Sequence, residues 1–169
     1  MLYSNIASVY AANDNSSESI KYKKKALPIA LKYVDSSHPT LATIYNNLAA
    51  YENLDDYERA LVCYQKAIDF RKNAEETDDS KIAQTYRHIA SLYDTKEDYK
   101  LALDHYQMML ECQLKSQLPL KHPELATTYD FIGWTHYKND QSQLALKFMK
   151  KGLNIRLKNN NSSDELFST

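Results

Sequence analysis

The sequence predicts an all-α protein, a right-handed α-solenoid of about four helix-turn-helix units with the first unit truncated. Its 169 residues include only two glycines and four prolines, too few for the turns that join β-strands. One phrase occurs three times, as HPTLATIY from His38, DSKIAQTY from Asp79 and HPELATTY from His122. The shared alanines Ala42, Ala83 and Ala126 are 41 and 43 residues apart, a period that suits two helices and two short turns.

Each repeat predicts a helical hairpin. In the third unit, the residues Tyr86, Ile89, Ala90 and Tyr93 fall at positions i, i+3, i+4 and i+7, which places them on one stripe of a helix. A turn at residues 96–98 and a second helix with its own apolar stripe follow. The second and fourth units have the same order. The predicted boundaries are a partial unit at 1–33, units at 38–75, 79–116 and 122–159, and a disordered polar tail at 160–169.

The size of the side chains on the apolar stripes predicts where helices approach one another closely. Ala90 and Gly133 are small at equivalent positions, and a larger side chain there would push the helix backbones apart. The first unit departs from the pattern, because Ser19 and Lys23 stand where Ala and Tyr are expected. Pro28 lies inside the second helix of that unit, and it is expected to kink or end the helix.

Composition excludes several classes of function. With 21 basic and 22 acidic residues the net charge is −1, which gives no bulk attraction to nucleic acid or to an anionic membrane. The longest apolar run, ALPIAL from Ala26, is far shorter than the roughly 20 residues of a membrane span. The N-terminus does not resemble a signal peptide. A cytoplasmic location is therefore expected. There is no phosphate-binding glycine loop, metal motif or nucleophile–base pair. We therefore expect no catalytic residues, metal or cofactor.

The repeat resembles the tetratricopeptide repeat (TPR) family. The spacing of Tyr86, Ile89, Ala90 and Tyr93 matches the signature of its first helix, and Ala102-x3-Tyr106 matches that of its second helix. The period near 42 and the phrase HPxLATxYNNLA are similar to the longer repeats of kinesin light chains and their relatives, over roughly residues 1–159. The resemblance implies a non-catalytic scaffold for protein–protein interaction, in which a partner peptide binds the concave groove formed by the first helices.

The polar stripe of the first helices, opposite the apolar one, is predicted to face that groove. The candidate groove residues are Asn46, Asn47, Gln84, Arg87, His88, Asp130, Phe131, Trp134 and Lys138. By the resemblance, Asn46 and Asn47 in YNNLA would clamp the peptide backbone, since carboxamides both donate and accept hydrogen bonds. A solvated helix face would explain the same two residues. Arg87 and His88 could receive a carboxylate from the partner, or form an ordinary ion pair between helices.

Two aromatic side chains interrupt the polar stripe of the fourth unit. Phe131 and Trp134 are spaced i and i+3, which indicates either an apolar pocket for a ligand side chain or packing against a following helix. His38 and His122 each precede a proline at a helix start, while the third copy of the phrase uses Asp79. A capping role is therefore expected for both histidines in preference to a metal site.

Three interpretations of the function remain after these exclusions. The first is a peptide-binding scaffold, with a cargo or adaptor module of the kinesin light chain type as its more specific form. The second is a TPR fragment of a larger multidomain protein whose catalytic or motor-associated domain lies outside this chain. The third is a helical-repeat RNA-binding protein, which the charge balance disfavours. Uncovered apolar residues near the C-terminus, such as Leu146 and Leu153, indicate end-to-end association or missing flanking repeats.

Overall fold

The computed structural model describes residues 2–33, 41–47, 49, 57–74, 77–116, 118–120 and 122–166. Within these ranges the regular structure is helical and contains no β-strand, so the predicted all-α repeat fold is confirmed. The helices are α1 (Leu2–Ala12), α2 (Ser16–Tyr33), α3 (residues 41–47), α4 (Tyr57–Lys72), α5 (Asp79–Thr95), α6 (Tyr99–Lys115), α7 (Pro123–Lys138) and α8 (Ser142–Leu166).

The chain divides into two compact units, Met1–Asp78 and Asp79–Thr169. In the first unit, α1 packs against α2, and the ring of Tyr45 on α3 stacks on Phe70 of α4 at 5.5 Å between centroids. In the second unit, α5 pairs with α6, α7 pairs with α8, and α6 also packs on α7. None of the helices that the structure describes combines the length and apolar character that a membrane span requires.

The turn between the two helices of a hairpin has the same construction in three places. A non-glycine residue adopts left-handed backbone geometry at Asp14 (φ 55°), Glu97 (φ 62°) and Asp140 (φ 57°). The N–H of the next residue then donates to the carbonyl five positions earlier, which closes the end of the first helix. These bonds join Asn15 to Tyr10, Asp98 to Tyr93 and Gln141 to His136, at 2.9–3.0 Å. The predicted turn at residues 96–98 is confirmed.

The residue that closes the first helix also begins the second one. Asp98 caps α6, since its Oδ1 accepts from the N–H of Leu101 at 3.3 Å. Asn15 does the same for α2, accepting from the N–H of Glu18 at 3.2 Å. One short turn therefore satisfies backbone groups of two helices, which keeps each hairpin tight.

Replacing Glu97 by glycine is expected to stabilise the protein by about 0.5–1 kcal/mol. Left-handed geometry costs a residue with a side chain roughly 1–2 kcal/mol, and the greater conformational entropy of glycine in the unfolded chain offsets part of this gain. The midpoint of urea unfolding measures the change. Glu97→Ala is the matched control, since it removes the carboxylate and keeps Cβ. Equal stabilisation by both variants would show that the charge of Glu97, and not its backbone geometry, is responsible.

The first unit accommodates its departures from the repeat pattern. Ser19 is fully buried at the position of the expected alanine, and its hydroxyl donates to the carbonyl of Ala7 at 2.7 Å. The aromatic residue expected at Lys23 is replaced by Tyr22, one position earlier. The Tyr22 ring stacks on the Tyr10 ring, with 5.3 Å between their centroids. Serine and a displaced tyrosine thus fill the space that the repeat assigns to alanine and tyrosine.

Pro28 does not end α2, which continues to Tyr33, so of the two expected effects, a kink or a helix end, the helix end does not occur. Ala26 and Ala30, on either side of the proline, are both buried. Because a proline removes only one backbone donor, packing on both sides of it is sufficient to keep the helix continuous.

The C-terminal helix is also longer than the sequence predicted. α8 continues to Leu166, so residues 160–166, which the prediction assigned to a disordered tail, are helical. Neither glycine nor proline follows Gly152, and so the chain contains no strong stop signal in this region.

The remaining local predictions concern capping and close packing. His122 caps α7, with its Nδ1 accepting from the N–H of Glu124 at 3.3 Å, so the predicted capping role is confirmed. His38 lies outside the described residues. At Gly133, an added Cβ would lie 2.7 Å from Cγ of Met149 on α8. The small residue predicted at this close approach is therefore required by the contact.

Candidate functional site

The second unit contains a pocket of about 270 Å³ formed by α5, the C-terminal part of α6 and the first half of α7. Its walls carry polar and charged side chains around a small apolar surface. The lining residues are Ser80, Ala83, Gln84, Arg87, Met109, Gln113, Glu124, Thr127 and Phe131. Gln84, Arg87 and Phe131 are three of the residues predicted from the sequence to face a groove.

Helical periodicity explains why these residues share one pocket. On α5, Ser80, Gln84 and Arg87 are spaced i, i+4 and i+7 and so lie on one stripe. On α7, Thr127 and Phe131 are spaced i and i+4 and form the facing stripe. The pocket is the space between the two stripes, closed on one side by α6.

The buried polar group of the pocket is the carboxamide of Gln113. The residue is only 3% exposed, and the Oγ1 of Thr128 donates to one end of the carboxamide at 2.7 Å. Among the described residues, no enclosed side-chain nitrogen or oxygen lacks a hydrogen-bond partner. The Nε2 of Gln113 has no hydrogen-bond partner among the described residues, so it is not one of the enclosed atoms. Because Gln113 lines the pocket, its Nε2 is open to the pocket and can donate to a ligand.

Arg87 brings a positive charge to the pocket. Its half-buried side chain forms no ion pair or hydrogen bond with the residues that the structure describes. The following hairpin differs at both equivalent positions, 43 residues further along the chain, where Asp130 replaces Arg87 and Arg156 replaces Gln113. Asp130 and Arg156 form an ion pair, which also raises the pKa of Arg156. The first hairpin of this unit thus lacks the acidic partner that would neutralise Arg87.

Phe131 supplies the apolar wall. Its half-buried ring stacks on Tyr106 of α6, with 5.4 Å between centroids and 9° between planes. Tyr106 is buried, and burial raises its pKa to about 12, so its hydroxyl stays protonated at neutral pH. The stack fixes the Phe131 ring in place beside the pocket.

The structure places the other predicted residues outside this pocket. His88, half-buried on α5, has interactions of its own. Asp130 pairs with Arg156 of α8, and Lys138 pairs with Asp94 of α5 at 2.5 Å, so the charges of both predicted groove residues are already compensated. The Asp94 carboxylate also accepts a long hydrogen bond from the hydroxyl of Thr135, at 3.5 Å.

Trp134 lies on the same stripe of α7 as Phe131 but remains 56% exposed. Its ring meets Tyr137 edge-on, at 5.8 Å between centroids. Asn46 and Asn47 belong to α3 in the first unit, where Asn46 is half-buried and Asn47 is exposed.

The candidate residues predicted from the sequence did not include several residues of the pocket. Met109 and Gln113 come from the second helix of the hairpin, and Glu124 comes from the first turn of α7. The comparison between repeats contained a signal for Gln113, because Arg156 occupies its position in the next hairpin. Because Gln113 is uncharged, the ion pair that Asp130 and Arg156 form has no counterpart between Arg87 and Gln113.

The family model described as Tetratricopeptide repeat matches residues 1–73 and 49–115. Among curated proteins, response regulator aspartate phosphatase H of Bacillus subtilis (strain 168) is 25% identical over 164 residues, covering 96% of this chain and 42% of that protein. The chain therefore spans less than half the length of this relative.

Solved structures with similar folds include BtubC (BKLC) from P. vanneervenii, with a TM-score of 0.83 and 22% identity over 94% of this chain and 63% of that one. They also include the nearly identical TPR-like repeats of a putative kinesin light chain from Podosopora anserina, with a TM-score of 0.77 and 17% identity over 93% of this chain and 74% of that one. At these identities the likeness establishes the helical repeat fold.

Proposed function

The chain belongs to the tetratricopeptide repeat family, a fold that serves as a scaffold for protein–protein interaction, and we propose that its second unit binds an extended peptide segment of a partner protein. The observation that supports this proposal most directly is the charge of Arg87, which has no ion-pair partner among the described residues, beside a half-buried aromatic ring in one pocket. The chain acts as a non-catalytic scaffold in this proposal.

The pocket offers three kinds of contact to a peptide. The Arg87 guanidinium can take a carboxylate, the open end of Gln113 and the exposed Gln84 can bond backbone amides, and Phe131 with Met109 can cover an apolar side chain. A volume of about 270 Å³ is slightly below the ~300–1,000 Å³ of whole small-ligand sites, so it fits one or two peptide side chains. Trp134, on the same stripe as Phe131, would contact the segment as it leaves the pocket.

The first unit would contribute to the same kind of recognition through Asn46 and Asn47 on α3. Their place in the phrase YNNLA supports a backbone-clamping role, and the likeness to kinesin light chain repeats supports a cargo or adaptor module. His88, Asp130 and Lys138 would act by shaping the surface, since each already has partners within the protein.

Arg87→Ala is expected to weaken binding of a selected peptide by tenfold or more, since a hydrogen bond to a charged group contributes about 1.5–3 kcal/mol. Ligands can be selected from a random peptide display library on the purified protein. Fluorescence of Trp134, the only tryptophan, then reports the dissociation constants.

Lys100→Ala is the matched control, because it removes an exposed positive charge from α6 of the same unit, outside the pocket. Equal affinities of the wild-type protein and the Arg87→Ala variant for every selected peptide would contradict the assignment of the site.

A second candidate function is favoured by the similarity to response regulator aspartate phosphatase H over 96% of this chain. In that case the chain is a module of a longer protein that acts on a response regulator, and catalytic residues lie outside it. Isothermal titration of the chain with purified receiver domains, with and without acetyl phosphate, tests this candidate. An absence of binding in both states would exclude it.

A further inference from the structure

The pocket contains two opposite charges that do not neutralise each other. Arg87 projects from α5, and Glu124 projects from the first turn of α7. The backbone N–H of Glu124 donates to Nδ1 of His122. Its carboxylate has no hydrogen bond or ion pair with the residues that the structure describes, and the same holds for the guanidinium of Arg87.

Two other acid–base pairs of this unit join different helices. Asp94 on α5 pairs with Lys138 on α7, and Asp130 on α7 pairs with Arg156 on α8. Arg87 and Glu124 likewise come from α5 and α7, yet they line one pocket without forming a pair. A ligand that carries both an acidic and a basic group can therefore form one ion pair with Arg87 and a second one with Glu124.

We propose, resting on the proposed function, that the pocket selects a peptide segment carrying one acidic and one basic side chain close together. The acidic side chain bonds Arg87, the basic side chain bonds Glu124, and an adjacent apolar side chain packs on Phe131. The Gln113 carboxamide, buried and open to the pocket at one end, holds the peptide backbone between the two charges.

This arrangement selects by repulsion as well as by attraction. A segment with only acidic residues brings a carboxylate towards Glu124, and a segment with only basic residues brings a cation towards Arg87. Both mismatched classes leave one pocket charge without a partner and place like charges near each other. The proposed ligands, which carry both an acidic and a basic side chain, therefore differ from those of a uniformly basic groove. Such a groove binds ligands more tightly as their net negative charge increases.

Selection from a random peptide display library on the wild-type protein is expected to enrich peptides with an acid and a base a few residues apart. For such a peptide, Glu124→Gln is expected to raise the dissociation constant about two- to fivefold, the range for a partly exposed ion pair. For the same peptide with its basic residue changed to alanine, Glu124→Gln is expected not to raise the constant and to lower it if the peptide's acid approaches Glu124. The two proteins and two peptides form a double-mutant cycle. Such a cycle distinguishes a direct contact of Glu124 with the basic residue of the peptide from a structural effect of the substitution at the start of α7.

A charge-exchanged protein gives the sharper test. The double variant Arg87→Glu with Glu124→Arg keeps the net charge and is expected to select peptides in which acid and base occur in the reverse order. Glu111→Gln is the control, because it removes an exposed carboxylate from α6 outside the pocket. Circular dichroism melts verify that each variant is folded.

The outcomes separate this inference from the proposed function. Peptides that depend on Arg87 but are acidic only, with affinities unchanged in Glu124→Gln, would overturn the inference and leave the peptide site intact. Selected peptides whose affinity ignores Arg87, or a selection without enrichment, would overturn both. Reversal of the charge order by the double variant would support both.

Discussion

Between pH 10 and pH 12 each of two buried tyrosines is expected to lower the free energy of unfolding by about 2 kcal/mol, the larger part of the effect of a two-unit difference in pKa. Burial raises the pKa of Tyr64 and of Tyr106 from 10.0 to about 12. Since an unfolded tyrosine loses its proton near pH 10, the folded state binds more protons across this window. The stabilisation is complete below pH 10 and is lost as pH rises towards 12, with 1.36 kcal/mol for each pKa unit.

Phenylalanine variants test this expectation one tyrosine at a time. Tyr106→Phe keeps the stack on Phe131 and removes the titrating hydroxyl, so its loss of stability between pH 10 and pH 12 should be smaller by about 2 kcal/mol. Tyr64→Phe should act in the same way in the first unit. Urea unfolding at half-unit pH steps supplies the free energies, and Tyr33→Phe is the control because Tyr33 is exposed. Parallel pH profiles for Tyr106→Phe and Tyr33→Phe would contradict the prediction.

The fold could be predicted from the sequence because its cause is local and repeated. Tyr86, Ile89 and Ala90 define an apolar stripe through helical spacing alone, and the same stripe recurs in the other units. The closing turn at Glu97 could be placed because the apolar spacing stops there and begins again. The sequence left open whether Pro28 kinks or ends its helix, because the outcome depends on the burial of the residues around it, which periodicity does not reveal.

The candidate site was only partly accessible to the same reasoning. Arg87 and Phe131 could be proposed because a first-helix stripe opposite the core is a local property. Asp130 and Lys138 lie on the corresponding stripe, but they pair with Arg156 and Asp94, which are 26 and 44 residues away in the sequence. Whether a charged side chain is free for a ligand depends on such distant partners. Helical spacing determines which face a residue occupies, and tertiary packing determines whether its charge remains available.

Gly152→Ala is expected to destabilise the α7–α8 hairpin by about 1–3 kcal/mol, although alanine is favoured over glycine within a helix by about 1 kcal/mol. A Cβ at residue 152 would lie 2.9 Å from the carbonyl oxygen of Ala126 and 2.7 Å from Oδ1 of Asp130. The first contact is with the backbone of α7, which cannot rotate away, so the helices must separate. Moving Asp130 would also disturb its ion pair with Arg156.

The exposed position Asn154, on the same helix, provides the matched control, since Asn154→Ala changes helix propensity without a close contact. Gly133→Ala should be milder than Gly152→Ala, because the nearest atom there is Cγ of the flexible Met149 side chain and the closest backbone atom is 3.2 Å away. Thermal unfolding monitored at 222 nm ranks the three variants. If Gly152→Ala raised the unfolding midpoint as Asn154→Ala does, α7 and α8 would pack less closely at this position than the structure shows, and the geometry that orients Asp130 towards Arg156 would need revision.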